Sequence, residues 1–260
     1  MDTVVDVALS VGLRKLKLSM CHLSPEAVPA LARLLSGNTT LTELEIDNQD
    51  DADGLPYEDL IMLDPPAAAL LADAIRRNNT LQRLHVGESH LWAVAEPAVT
   101  LLDAFVGHPS IRVLDLGFND PYEDGTPEEE AAPIGAALGR LVAADVPALE
   151  ELRLDFCGLG DAGMRPLFAA LPRNTHLRQL VVAECLVRGA EVATELLTAV
   201  RANTSLRNLQ VGEYEPQYDE DEDEDAGLPP WEPLFEAADF VRTREAARVA
   251  AEAAAAPTRA

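Results

Sequence analysis

The chain is short of positive charge. Its 260 residues hold 20 Lys and Arg against 45 Asp and Glu, a formal net charge of -25. Neutralising nucleic-acid phosphates takes clustered Lys and Arg, so this balance excludes a nucleic-acid binder. It disfavours anionic lipid surfaces too. The opening MDTVVDVALSVGL carries acids where a secretory leader has a basic segment, and no uninterrupted apolar run reaches membrane length. Cysteine is also scarce. Cys21, Cys157 and Cys185 are an odd number without the spacing of a disulfide framework. Together these absences point to an intracellular, soluble chain, in the cytoplasm or alternatively the nucleus. A phosphate-cradling glycine loop is missing as well, and no carboxylate pair stands out from the general acidity. His22 and His90 sit at equivalent repeat positions, and His108 and His176 precede strands, four separated places that form no metal cluster. No catalytic residue, no metal and no cofactor is expected.

What the chain does have is a repeat. Leu13-Leu16-Leu18, Leu41-Leu44-Ile46, Leu81-Leu84-Val86, Ile111-Leu114-Leu116, Leu149-Leu152-Leu154, Leu177-Leu180-Val182 and Leu206-Leu209-Val211 share the spacing LxxLxL. Units that bury their apolar faces only against neighbours stack into a solenoid. Successive starts lie 28, 40, 30, 38, 28 and 29 residues apart, so a unit is 28 or 29 long and two are expanded. That length holds a short strand and a full helix. Helical periodicity follows each strand, in Ala67, Leu70, Leu71 and Ala74, in Met164, Leu167, Phe168 and Leu171, and in Ala193, Leu196, Leu197 and Val200. Ser24-Pro25 and Asp64-Pro65 read as an N-cap followed by proline in the first turn. Asn38, Asn78, Asn174 and Asn203 precede the next leucine by three residues, where a helix end favours left-handed backbone. All three cysteines fall three residues after the last pattern position, the N/C place of LxxLxLxxN/CxL, and so read as buried scaffold.

Segments such as Asn38-Thr39-Thr40-Leu41 leading into LTELEI, and LRLDFCGLGDAGMRPLFAAL from Leu152, resemble the ribonuclease-inhibitor class of leucine-rich repeats. The resemblance runs from Leu13 to Gly212. It implies an α/β solenoid: a curved horseshoe segment with a parallel concave sheet and convex helices. Its known functions are diverse, covering nuclease inhibitors, Ran GTPase activators and the sensor arms of innate-immunity receptors. The expected organisation is a short N-terminal cap over 1–12 and a repeat array over 13–212 with acidic insertions at 47–64 and 117–130. An acidic, disordered loop over 213–232 and a C-terminal capping helix with a frayed tail over 233–260 complete it. The cap's apolar face reads Leu234, Phe235, Ala238 and Val241.

The interruptions hold the charge. Residues 47–64, 117–130 and 212–232 contain seven, six and ten acids and no Lys or Arg, so 23 negative charges sit in three stretches that all follow a strand. Pro56-Tyr57-Glu58-Asp59 and Pro121-Tyr122-Glu123-Asp124 share a tetrapeptide, while Tyr214 and Tyr218 lie among the acids of the third stretch. Aromatic rings in a negative field suit a basic partner. The bland reading is solvated loops that keep the array soluble. Neither stretch with a central glycine fits a calcium loop, because Leu60 and Ala131 fall where its last carboxylate belongs.

On the concave face, the outward residue between the second and third pattern positions reads Lys17, Glu45, His85, Asp115, Arg153, Val181 and Gln210. Alternating signs at strand spacing stabilise the sheet and also offer a surface that orients a ligand. A neighbouring column, Met20, Asn48, Glu88, Phe118, Phe156, Glu184 and Glu213, sets Phe118 beside Phe156. The functional reading is a noncatalytic protein-protein interaction module that binds a basic protein or peptide. Its contact residues are Lys17, Glu45, His85, Asp115, Arg153, Gln210, Phe118 and Phe156 on the concave face. On the rim they are Asp50, Asp51, Asp53, Tyr57, Glu58, Asp59, Tyr122, Glu123, Asp124, Tyr214, Tyr218, Asp219, Asp221, Asp223 and Asp225. The alternatives are a GTPase-activating regulator resembling Ran GTPase activators, without an arginine finger from these stretches, and a structural subunit of a larger assembly.

Overall fold

A computed structural model describes residues 1–19, 25–47, 63–120, 125–145, 148–212 and 231–255. The LxxLxL segments form strands β1 (Lys15–Ser19), β2 (Glu43–Asp47), β3 (Arg83–Gly87), β4 (Val113–Asp115), β5 (Glu151–Arg153), β6 (Gln179–Val181) and β7 (Asn208–Gln210). They make one parallel sheet in chain order. Parallel neighbours require a crossover, and here helices supply it. Helix α1 (Asp2–Val11) precedes β1; α2 (Val28–Gly37), α3 (Pro65–Arg77), α4 (Ala95–Phe105), α5 (Glu128–Ala143), α6 (Gly160–Ala170) and α7 (Ala190–Ala202) connect the strands, and α8 (Trp231–Ala255) follows β7. The register aligns the middle leucines, Leu16, Leu44, Leu84, Leu114, Leu152, Leu180 and Leu209, one to each strand. These and the helix faces form one continuous apolar core, so each unit is stabilised chiefly by its neighbours.

The asparagines do a different job from the one their position implies. Asn38, Asn78, Asn174 and Asn203 all have extended backbone, with φ between -91° and -74°. Their side chains are buried brackets. Asn78 Oδ1 accepts from the amides of Thr80 and Leu81, while its Nδ2 donates to Leu35 O in the preceding repeat. Asn38, Asn174 and Asn203 repeat this arrangement toward Ala8, Val142 and Leu171. A primary amide fits because it carries both acceptor and donor on one short stem. His108 takes the same place before β4, accepting from the Ile111 amide at 3.2 Å through Nδ1 and meeting Ile75 O at 3.0 Å through Nε2. The N/C position forms a parallel ladder: Asn119 donates to Val86 O, Cys157 to Leu116 O and Cys185 to Leu154 O. Both described cysteines are buried free thiols, and burial pushes their pKa values up. Cys21 lies outside the described residues.

Three local expectations are corrected. Helix α2 starts at Val28, not at Pro25, with Pro29 in its first turn where the missing amide costs nothing. At α3 the Asp64 cap forms as expected, accepting from the Ala67 amide at 2.7 Å. Leu70, though, points outward at 43% exposure, because Ala68 and Ala72 turn the small-residue side of α3 into the core. On α8 the buried residues are Leu234, Ala237 and Val241, and Phe235 is exposed. The same helix sends Arg244 to the carbonyls of Val200, Asn203 and Leu206, which closes the last turn of the array. In the middle, α5 and α6 meet backbone to backbone: a Cβ on Gly135 would fall 2.3 Å from Gly163 O.

Candidate functional site

The sheet face away from the helices carries the alternating row. Strand pairing sets Lys17, Glu45, His85, Asp115, Arg153, Val181 and Gln210 in one line across all seven strands. Lys17 meets Glu45 and lies 3.8 Å from Asp47. His85 Nδ1 is 3.0 Å from Asp115 Oδ2, and Arg153 Nε is 3.4 Å from the same oxygen. Arg153 also reaches Glu151 at 3.8 Å and Asp155 at 3.6 Å. Val181 breaks the pattern, since it is buried between Arg153 and Gln210. The hydrogen bond to Asp115 raises the His85 pKa against the opposing effect of burial. Burial would raise the Asp115 pKa, but the hydrogen bond and charge of His85, the Gly117 amide and Arg153 together bring it below the usual value. Most of the row's charges therefore already have partners within the sheet.

His85 is also where ligand atoms gather. One atom each from Glu45, Asp47 and His85 lies within 4.8 Å of the others. No metal is expected from the sequence, which does not single out this grouping; its members come from two neighbouring strands. Gly87 leaves room beside it, as a Cβ there would fall 2.9 Å from His85 Nε2. The Lys17 ammonium, held by both carboxylates, supplies the balancing cation in this arrangement.

Just past the strands stands a second line. Glu88, Phe118, Phe156 and Glu184 occupy equivalent places in four successive repeats, and each has left-handed backbone with φ of 50°, 56°, 53° and 53°. Left-handed geometry disfavours bulky side chains, so the surrounding turns must hold it. The holding bonds run between repeats: the Glu88 amide donates to Phe118 O, the Phe118 amide to Asp155 O and the Phe156 amide to Ala183 O. As a result the two rings stack with centroids 4.7 Å apart and planes 17° apart. They remain 46% and 49% exposed. Glu88 and Glu184 are half-buried, and burial raises the pKa of each. Among the described residues neither has a salt-bridge partner. The column was legible in the sequence, yet its two glutamates were not singled out; their signal is that they bracket the aromatic pair at one repeat's distance.

The rim residues Asp50, Asp51, Asp53, Tyr57, Glu58, Asp59, Tyr122, Glu123, Asp124, Tyr214, Tyr218, Asp219, Asp221, Asp223 and Asp225 lie outside the described residues. Their attachment points are described. Asp47 ends β2, Gly117 follows β4 and Gly212 follows β7, so all three acidic stretches leave the carboxyl ends of parallel strands. At the far edge, a groove between β7 and α8 carries Arg207 and Arg242 as well as Glu236, Asp239 and Glu245, and its charge is mixed. Among the described residues no helix is long and apolar enough to cross a membrane.

Sheet order, register and the buried ladder define a leucine-rich-repeat fold. A family model described as a leucine-rich repeat matches residues 147–168, the segment containing β5 and most of α6. No curated protein matches the chain. Among solved structures, leiomodin-1 actin-binding site 2 is 16% identical, with 70% of this chain and 95% of that chain covered at a TM-score of 0.42. The tropomodulin C-terminal domain of Caenorhabditis elegans is also 16% identical, with 85% of this chain and 98% of that one covered at a TM-score of 0.39.

Proposed function

We propose that the protein is a noncatalytic interaction module of the ribonuclease-inhibitor-like type, curved so that its sheet forms a concave face, and that it holds a basic protein or peptide there in the cytoplasm. One observation carries this reading. Three acidic stretches without any Lys or Arg join the chain at the carboxyl ends of parallel strands β2, β4 and β7, the end at which the exposed Phe118 and Phe156 also follow their strands. Such a field draws a cationic segment toward the face, and the sheet row then fixes its register. The row residues Lys17, Glu45, His85, Asp115, Arg153 and Gln210 act as positioning contacts in this reading, and the rim acids act in steering.

The test is fluorescence anisotropy of a labelled 15-residue basic peptide and its acidic counterpart, with wild type and a variant carrying Asn or Gln at the rim acids. Wild type should bind only the basic peptide, and raising salt from about 50 to 300 mM should weaken binding about tenfold or more as the steering field is screened. The rim variant should lose most of that salt dependence. Equal affinity for both peptides, or a salt response unchanged by neutralisation, would overturn the reading.

The structural-subunit alternative has one observation in its favour: Val4, Val7 and Val11 of α1 are exposed along one side of the helix. Mass measurement in solution checks it. A wild-type assembly that Val7→Asp returns to a monomer would support that alternative, and a wild-type monomer would count against self-association through α1.

A further inference from the structure

We propose that Glu88, Phe118, Phe156 and Glu184 form an arginine-reading site, in which guanidinium groups of the basic partner stack on the free faces of the ring pair and pair with the flanking carboxylates. This rests on the reading of a basic partner and names the side chain that is recognised. The geometry follows from the sheet. Equivalent positions on adjacent parallel strands lie about 4.8 Å apart. The ring centroids are separated by 4.7 Å with nearly parallel planes, so the stack runs along the direction in which the repeats succeed one another. Each outer ring face therefore looks toward the next repeat, where Glu88 stands on one side and Glu184 on the other.

Two features separate this line from ordinary packing. Stacking of Phe118 on Phe156 explains why the rings touch, but not why about half of each stays exposed. Nor does it explain two half-buried carboxylates at the equivalent places of the flanking repeats, neither with a salt bridge among the described residues. Partly desolvated carboxylates are costly when unpaired, and a cation arriving from a partner removes that cost. Arg153, the basic side chain that ends the strand before Phe156, is already held by Asp115, Glu151 and Asp155. Asp47 adds to the negative charge felt at Glu88, while His85, itself bonded to Asp115, opposes it in part.

Arginine fits better than lysine. Its planar guanidinium can lie flat on a ring while its edge presents paired N–H donors to a carboxylate, whereas an ammonium is a compact, strongly hydrated point charge. A site of rings bracketed by acids should discriminate between them even at equal peptide charge.

The experiment measures binding of two 12-residue peptides, alternating Gly-Arg and alternating Gly-Lys, to the full chain by anisotropy at about 100 mM salt. Wild type should bind the arginine peptide about fivefold or more tightly than the lysine peptide. Phe118→Ala with Phe156→Ala should bring the ratio to about one while leaving salt-dependent binding of the lysine peptide intact. Phe118→Leu with Phe156→Leu, which keeps apolar bulk, should do the same and guards against a folding defect. Glu88→Gln with Glu184→Gln should weaken the arginine peptide about tenfold and the lysine peptide less. If both peptides bind equally to wild type, or if the preference survives both double substitutions at the rings, the arginine site is wrong while the basic-partner reading stands. If neither peptide binds, both fall together.

Discussion

Two histidines of one repeat make opposite demands on pH. His85 lies in the sheet row with its Nδ1 against Asp115, and that hydrogen bond raises its pKa above the ordinary value of 6.5. A raised folded value means the contribution is complete below pH 6.5 and disappears as pH rises through the folded pKa. His108 is the reverse case. Burial lowers its pKa against the hydrogen bond that Nε2–H donates to Ile75 O, and the unprotonated Nδ1 accepts from the Ile111 amide. Its contribution is complete above pH 6.5 and is lost as pH falls through the lowered value. His85→Gln should therefore destabilise more at pH 5.5 than at pH 8.5, by about 1 kcal/mol in urea unfolding. A cost that is the same at both pH values would show that the Asp115 pairing is energetically silent. His108→Asn should leave stability within about 1 kcal/mol at pH 7.5. The variant should also lose less stability than wild type between pH 7.5 and pH 5, because asparagine supplies the same donor and acceptor without titrating. If acid lowers the variant's stability as much as wild type's, His108 is not the group that titrates. This bracket role was hidden in the sequence because histidine and asparagine share no letter pattern, only a donor and an acceptor at the right reach.

At the scale of the element, strand placement was readable and helix rotation was not. LxxLxL fixes which residues enter the core and makes every strand pair in the same register, so the Lys17-to-Gln210 row is legible in the sequence. Periodicity alone does not say how far a helix turns about its axis, which is why Leu70 and Phe235 face outward beside small residues that face in. The asparagines were located correctly but given the wrong mechanism, since a residue at a helix end satisfies either a left-handed cap or a side-chain bracket. Left-handed backbone at Glu88, Phe118 and Phe156 goes with bonds between turns of different repeats, which no local pattern records. Close approach of helices is equally invisible until the neighbour is in place. Gly135→Ala ought to help an isolated helix by up to about 1 kcal/mol, because alanine is the better helix former. In this array it should instead destabilise by about 1–3 kcal/mol, since the added methyl meets the backbone of Gly163. Chemical denaturation checks the sign, and a stabilised variant would mean that α5 and α6 separate readily. Because each unit rests on its neighbours, the same substitution should broaden unfolding as the two halves of the array lose their coupling.

The whole molecule sets attraction along the sheet face against repulsion over the chain. Ion pairs such as Lys15 with Glu43 at 2.7 Å and Arg112 with Glu150 at 2.8 Å are exposed, and pairs of that kind contribute about 1 kcal/mol at most. The net charge of -25, with 23 acids confined to three stretches, acts over longer distances and opposes compaction. Salt screens both effects, but the larger like-charge field loses more. Raising NaCl from about 20 to 300 mM should therefore increase the melting midpoint by several degrees, roughly the shift that 1–2 kcal/mol produces in a chain of this size. Replacing Asp219 to Asp225 with Ser and Asn should flatten that increase. A midpoint that falls with salt would mean the sheet-face pairs outweigh the acidic stretches. The bound basic peptide should reverse the trend: occupancy at about 100 times its dissociation constant adds about 2.7 kcal/mol to the folded state, and salt removes that gain by weakening the complex. Free and bound protein should thus respond to salt with opposite slopes, a signature that a merely solubilising charge would not produce.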